Sequence, residues 1–380
     1  MKSKFDMRGI VACLAALPAL ASAVQPAPID IKNVNFNGSL PYVVSGNAKR
    51  DARINHTIFL GMAGQPAPAR YTDPVNAPEE QDGPIPTSEI SYSVTRLDAR
   101  VLAFEFDYEG CGAYCEHHSE QYNFDAVTGR PFSSSDIFTP QGRAALFKRN
   151  NPKRLEEYRK AIAGLNKEGA ANRKKQRIAT PWPQARNDNK QDDEESRITE
   201  SINMYQQCMD SMRTPDYANF YIQDVFPVKI EEESITFLFG RCSNHAMQAL
   251  DEVGDQAITY KITELAPHLT PYGKYLLMGG PRITFPAEPY QQFLFGHVGQ
   301  AAITFNLSRP NPDGSVSGSY FYNKYRKPIR LSGKVIGNTV ELAETESTDT
   351  PQPLIRATIK GDKLEGLWIG KQTLDFSVSP

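Results

Sequence analysis

Leu102-Ala103-Phe104-Glu105-Phe106-Asp107-Tyr108 alternates large apolar side chains with small or acidic ones. A period of two sends alternate side chains to opposite faces of an extended chain, so the stretch predicts a half-buried β-strand. Ile90, Tyr92 and Val94 repeat the pattern upstream, and the two strands are expected to join at Asp98. Further on the period changes. Leu155, Tyr158, Ile162 and Leu165 fall at helical spacing, with Asn151 as the expected cap and Pro152 in the first turn, where its missing N–H costs nothing. Ile198, Ile202, Tyr205, Met209 and Met212 spell a second helix, behind the acidic run Asp192, Asp193, Glu194 and Glu195 that suits a helix N-terminus. The charged, proline-bearing stretch from Asn172 to Gln191 reads as an exposed loop between them. Period two returns at Ile235, Phe237 and Phe239, and at Ile258, Tyr260 and Ile262. Strands, then helices, then strands predict an α+β fold.

Beyond Gly279-Gly280 the texture changes to strands alone: Ile303, Phe305, Leu307; Tyr320, Tyr322; Ile329, Leu331; Val340, Leu342; Leu374, Phe376, Val378. Asp313-Gly314, Gly337-Asn338 and Gly361-Asp362 punctuate them as hairpin turns, so a small antiparallel barrel or sandwich is expected. The division predicted is a mixed helix and antiparallel-sheet domain over 24–278 and an all-β domain over 279–380.

The first 23 residues have the build of a signal peptide. Lys2, Lys4 and Arg8 precede an apolar run from Gly9 to Leu20, and Ala21-Ser22-Ala23 offers small residues for cleavage after Ala23. Ile10-Val11-Ala12-Cys13 resembles a lipoprotein box, but only four residues separate Cys13 from Arg8, too short for the apolar segment that must precede such a cut. No other segment approaches the roughly 18 uninterrupted apolar residues of a membrane helix. Removing Lys2, Lys4, Arg8 and Asp6 takes the charged residues from 42 basic and 44 acidic to 39 and 43, a net charge of about −4. That near balance argues against a nucleic-acid partner. A periplasmic or secreted protein is expected.

In an oxidising compartment the four remaining cysteines, Cys111, Cys115, Cys208 and Cys242, are expected to form two disulfides. Of the three connectivities, Cys111 to Cys115 with Cys208 to Cys242 is favoured, because the first pair shares one short glycine-containing loop.

That loop carries the densest chemistry in the chain, Cys111-Gly112-Ala113-Tyr114-Cys115-Glu116-His117-His118-Ser119-Glu120. Zinc needs four ligands in tetrahedral array, and no H-x-x-x-H or C-x-x-C accompanies the cluster, so no metal site is predicted. A disulfide-closed loop loses little entropy on binding, which makes Tyr114, Glu116, His117, His118 and Glu120 the candidate contact residues. Ordinary solvated polar side chains beside a turn are the alternative.

Catalytic motifs fail one by one. Gly314-Ser315-Val316-Ser317-Gly318 puts valine where a nucleophile elbow needs serine. Gly366-Leu367-Trp368-Ile369-Gly370-Lys371 is one residue short of a phosphate loop, and Gln372 stands where magnesium needs a hydroxyl; the stretch reads as a strand. The separation of paired carboxylates is set by fold, so glycan hydrolysis stays open as an alternative. Tyr320, Tyr322 and Tyr325 with Lys324, Arg326 and Lys327 form an aromatic and basic stretch suited to sugar or an acidic surface, or to covering a core. No catalytic residue and no cofactor is assigned.

Phe104-Glu105-Phe106-Asp107-Tyr108, the loop through His118, Tyr122-Asn123-Phe124-Asp125, Thr128-Gly129 and Asp136-Ile137-Phe138 together resemble an extracytoplasmic domain of unknown function. It is the domain shared by RsiV-type anti-sigma factors, which bind lysozyme, and PdaC-type peptidoglycan deacetylases. The resemblance spans roughly residues 27–270. The family loop typically reads Gly-Gly-Ala-His, whereas Cys111, Tyr114 and Cys115 alter it here. The deacetylase members keep their chemistry on a separate metal domain, and this chain contains no H-x-x-x-H to supply one. The resemblance therefore implies a non-enzymatic binding protein of the cell envelope, with lysozyme or peptidoglycan as partner. An envelope hydrolase using His117 or His118 with carboxylates, and a scaffold protein interacting through the all-β part, are the alternatives.

Overall fold

A computed structural model describes residues 28–75, 89–111, 115–179, 188–223, 227–347 and 352–380. The expected signal peptide, 1–23, lies outside them. Strand β1 (Asp30–Asn35) pairs with β2 (Ser39–Val44). Helix α1 (Ala48–Ala63) follows, capped by Asn47, whose side-chain oxygen accepts from the Arg50 amide, and closed by left-handed Gly64.

The alternating stretches form β3 (Ser91–Leu97), β4 (Val101–Cys111) and β5 (Cys115–Asp125), an antiparallel sheet in that order. Both faces are covered at the inner end. Leu102, Phe104, Phe106 and Phe124 pack with Ile54, Ile58 and Phe59 of α1, while Val101 and Ala103 join a second core on the opposite face.

Helix α2 (Ser134–Ile137) is a single turn. Helix α3 (Pro140–Ala179) begins well before the predicted cap and runs through Pro152. Thr139 is its true cap, accepting from the Gly142 amide at 2.9 Å, and Pro140 takes the first-turn place expected for Pro152. Burial of Leu146 and the packing of Phe147 carry the helix across the site where Pro152 forfeits one hydrogen bond. Asn151 instead donates to the Met212 carbonyl at 3.0 Å. The expected loop from Asn172 to Gln191 is also corrected: α3 continues to Ala179 and α4 (Asp188–Ser211) starts inside it, the residues between lying outside the described ones. Tyr158 and Leu165 of α3 pack on Ile198, Tyr205 and Met209 of α4.

Helix α5 (Pro215–Gln223) leads into β6 (Val228–Ile230), β7 (Ser234–Phe239) and β8 (Gln256–Lys261), a second antiparallel sheet. Cys208 and Cys242 are bonded, Cα atoms 5.8 Å apart, tying α4 to the loop after β7. Helices α6 (Ile262–Leu265) and α7 (Pro271–Met278) complete the core on that side, and Ile262 opens α6 rather than ending β8.

The remaining strands are β9 (Phe293–Val298), β10 (Ala301–Leu307), β11 (Ser315–Tyr322), β12 (Ile329–Ile336), β13 (Thr339–Glu344), β14 (Leu354–Lys360), β15 (Lys363–Ile369) and β16 (Thr373–Ser379). Each pairs antiparallel with the next and β16 returns to β9, so the structure is a closed eight-stranded barrel and not a sandwich. Leu294, Ile303, Phe305, Val340, Leu342, Ile355 and Phe376 fill its interior. Gly337 turns β12 into β13 with φ of 62°. Gly296 permits a tight approach of β9 to β16: a Cβ there would lie 1.8 Å from the Ser377 carbonyl oxygen.

Gly279-Gly280 falls between α7 and β9. The barrel packs back on the helical and sheet region through ions as well as through α1. Arg309 binds Asp136 at 2.5 Å and Glu288 at 2.9 Å, and Arg130 binds Glu288 at 2.8 Å. Arg53 of α1 donates to the Phe293 carbonyl at 3.3 Å and the Thr128 carbonyl at 2.8 Å.

Candidate functional site

The segment expected to present a loop is mostly strand. Cys111 and Cys115 are register partners at the hairpin tip, and Glu116, His117, His118 and Glu120 lie on β5. Tyr114 lies outside the described residues. So does the Cys111 side chain, and with it the expected bridge to Cys115.

Strand alternation separates the candidates. Register sets His118 against Tyr108 and Glu120 against Phe106, and the imidazole of His118 stacks on the Tyr108 ring at 5.3 Å. Tyr108 donates to Glu120 Oε1 at 2.5 Å and Tyr122 to Glu120 Oε2 at 3.2 Å. Burial, reinforced by the Glu120 carboxylate, keeps both phenols protonated well above the usual tyrosine range. His117 is on the other face, 66% exposed, its Nε2 lying 3.5 Å from Asp107 Oδ1. Glu116 pairs with Arg241 of the loop after β7. Deeper on the same side as His117, Glu105 accepts from Lys229 at 2.7 Å and Gln121 at 3.1 Å. Burial alone would raise the Glu105 carboxyl, but those two donors outweigh it and hold it below the ordinary range. The five candidates therefore form no single cluster: His118 and Glu120 share one face and His117 the other.

A cleft of about 710 Å³ opens where α1, β5 and residues 131–133 face the outer wall of the barrel. Tyr122 and Thr57 line one side; Asn306, Ser317 and Ser319 line the other, on the outward positions of β10 and β11. Gly61 of α1 lets Tyr122 come close, since a Cβ there would lie 2.0 Å from its hydroxyl. Phe293 and Phe132 are buried at the cleft's base. No one motif announces this cleft, because its residues come from seven separated stretches of chain.

Inside the barrel, buried Glu344 accepts from Tyr320 at 2.6 Å and from the Trp368 indole at 2.9 Å. Burial first, and the carboxylate second, push the Tyr320 phenol far up. The signal in the sequence was period two, which puts Glu344 on the same face as Val340 and Leu342. The aromatic and basic stretch does not act as one surface: Tyr320 is inside, Tyr325 is 70% exposed, and Arg326 reaches back to the Ala67 carbonyl. Gly366 to Ile369 is part of β15.

Among the described residues no three His, Cys, Asp or Glu side chains converge to hold a metal ion. No family model matches the chain, and no curated protein does. Among solved structures the chain is similar to a crystal structure of a member of the DUF3298 family from Bacteroides fragilis, at 14% identity over 64% of this chain and 92% of that one. The TM-score is 0.31.

Proposed function

We propose that the chain is a non-enzymatic binding protein of the periplasm or the exterior, released by cleavage after Ala23 and divided into domains at 24–278 and 279–380. Its partner is a basic protein of the lysozyme type. The observation that carries this reading is the acidic character of the β4–β5 hairpin: Asp107 and Glu109 lie on its His117 face toward the tip, while on the other face Glu116 is paired with Arg241 and half-buried Glu120 accepts from Tyr108 and Tyr122. Complementary charge steers a cationic partner to such a projection and fixes its register. The resemblance through Phe104 to Tyr108, Tyr122 to Asp125 and Asp136 to Phe138 supports lysozyme as that partner. The Cys208–Cys242 disulfide suits an oxidising compartment, and no helix among the described residues is long and apolar enough to cross a membrane.

The hydrolase reading wants a cleft that gathers carboxylates or imidazoles. The cleft beside Tyr122 is lined by neither, and in the cleft of about 720 Å³ that holds Asp51 and His56 the carboxylate accepts from the Ser45 amide and the buried imidazole from the Ala67 amide. The test of the binding reading is titration of the 24–380 chain with several lysozymes in low and moderate salt. Saturable binding that weakens with salt, and weakens about tenfold further in an Asp107→Lys, Glu109→Lys double variant, is expected. Absence of binding across the set, or binding indifferent to the double variant, overturns it.

A further inference from the structure

The cleft between α1 and the barrel wall has a chemistry unlike the hairpin's. Its volume, about 710 Å³, lies within the range of small-ligand sites. Arg330 is the one charged residue in its lining, and that guanidinium is paired with Glu346 at 3.3 Å. An anionic ligand would find no uncommitted cation in the lining, and a cationic ligand would find no carboxylate there. What the walls offer instead are hydroxyls and carboxamides, groups that donate and accept as sugar hydroxyls do. They stand above apolar carbon, half-buried Leu60 among it, on which the C–H face of a pyranose can rest.

Two amides single themselves out. Asn306 accepts from the Ser319 amide at 3.0 Å through Oδ1, which fixes the side chain and turns its NH2 group to other use. Gln291 holds φ at 52°, a left-handed conformation that a non-glycine residue adopts at a cost, and its backbone N–H is pinned to the Leu307 carbonyl at 2.7 Å. Glycine would meet the backbone requirement more cheaply. The retained carboxamide has no hydrogen-bond partner among the described residues, so it is free for a ligand.

We propose that this cleft binds a neutral oligosaccharide, with the Gln291 and Asn306 carboxamides and the β10–β11 hydroxyls as its polar contacts. The site is separate from the hairpin's tip and does not depend on the partner assigned to it.

The experiment is calorimetric titration of the 24–380 chain with four tetrasaccharides: an N-acetylglucosamine oligomer, a maltooligosaccharide, a glucosamine oligomer carrying amines, and a sulfated oligomer. At least one neutral probe is expected to bind saturably, and both charged ones at least about tenfold more weakly. Gln291→Gly is expected to melt at a higher temperature than the natural chain yet bind the neutral probe about tenfold more weakly. Asn306→Ala should lose as much. The Asp107→Lys, Glu109→Lys variant should bind the sugar as the natural chain does. Silence from both neutral probes, tighter binding of a charged one, or Gln291→Gly binding undiminished sinks the proposal. Because Gln291→Gly relieves strain, its result stands even if Asn306→Ala does not fold.

Discussion

Tyr272 donates its hydroxyl to Asp125 Oδ2 at 3.0 Å, joining α7 to the end of β5 in a buried position. The other oxygen of the same carboxylate accepts from the Val127 amide at 2.8 Å and the Thr128 amide at 3.2 Å, shaping the turn that Gly129 completes at φ of 73°. The Asn123-Phe124-Asp125 and Thr128-Gly129 motif thus has a mechanical reason. Asn123 anchors the strand to the Val228 carbonyl, and Asp125 holds the turn and α7 together.

Asp125→Ala should therefore cost about 2–4 kcal/mol, since three donors lose their acceptor in a buried place. Asp125→Asn keeps one carbonyl oxygen for the turn and should cost about half as much. Urea denaturation of both variants decides; equal losses would mean the carboxylate charge, and not the acceptor geometry, is what matters.

Glu344→Ala leaves the Tyr320 hydroxyl and Trp368 indole without their acceptor inside the barrel. A loss of about 3 kcal/mol is expected, with a shift in tryptophan emission as the indole seeks water. Glu344→Gln keeps an oxygen acceptor and should retain most of the stability. Chemical melts followed by fluorescence check both.

His56 should make the fold acid-sensitive. Burial first, and the Arg326 charge second, lower its imidazole from 6.5 to about 3, and its Nδ1 accepts from the Ala67 amide at 3.2 Å. The unfolded chain takes up this proton first as the pH falls, so the contribution of neutral His56 is complete above pH 6.5 and declines toward about 3. About 2.5 kcal/mol should go between pH 6.5 and roughly pH 4.5. In His56→Gln that slope should flatten. An unchanged pH profile in the variant would assign the sensitivity to other groups.

Reduction of Cys208–Cys242, 34 residues apart, frees a loop that the bond closes between α4 and the stretch after β7. A stability loss of about 3–4 kcal/mol follows from loop-closure entropy. Melts of the natural chain and of a Cys208→Ala, Cys242→Ala variant, each with and without reductant, measure it; reduction is expected to cost the natural chain more than the variant, by about that amount.

Much of this architecture is written in periodicity. The alternation at Leu102 to Tyr108 and the run from Ile303 to Val378 are strands because side chains on one face are buried, and burial selects a period of two. Pro152 misled because proline marks helix starts by local preference, while packing around Leu146 and Leu155 spans it. Helix α1 was not legible because Arg50, Arg53, Asn55 and His56 are buried in it through tertiary hydrogen bonds and ring contacts that its sequence does not announce. Nor could the candidate residues after Cys115 be sorted without β5, since adjacency in sequence sends His117 and His118 to opposite faces. The cleft was beyond reach altogether, being made where Tyr122 and Asn306, 184 positions apart, come to face one space.

Pairing β16 with β9 makes the start and finish of the barrel sequence mutual neighbours. During synthesis β9 appears first and must wait for the final strand before its outer hydrogen bonds are met. In that interval the nascent chain exposes an unpaired edge to any sticky bystander. Vectorial emergence thus makes the last seven-residue strand the latch of the whole module, and a chaperone that shields β9 until then would raise the yield of correctly folded protein.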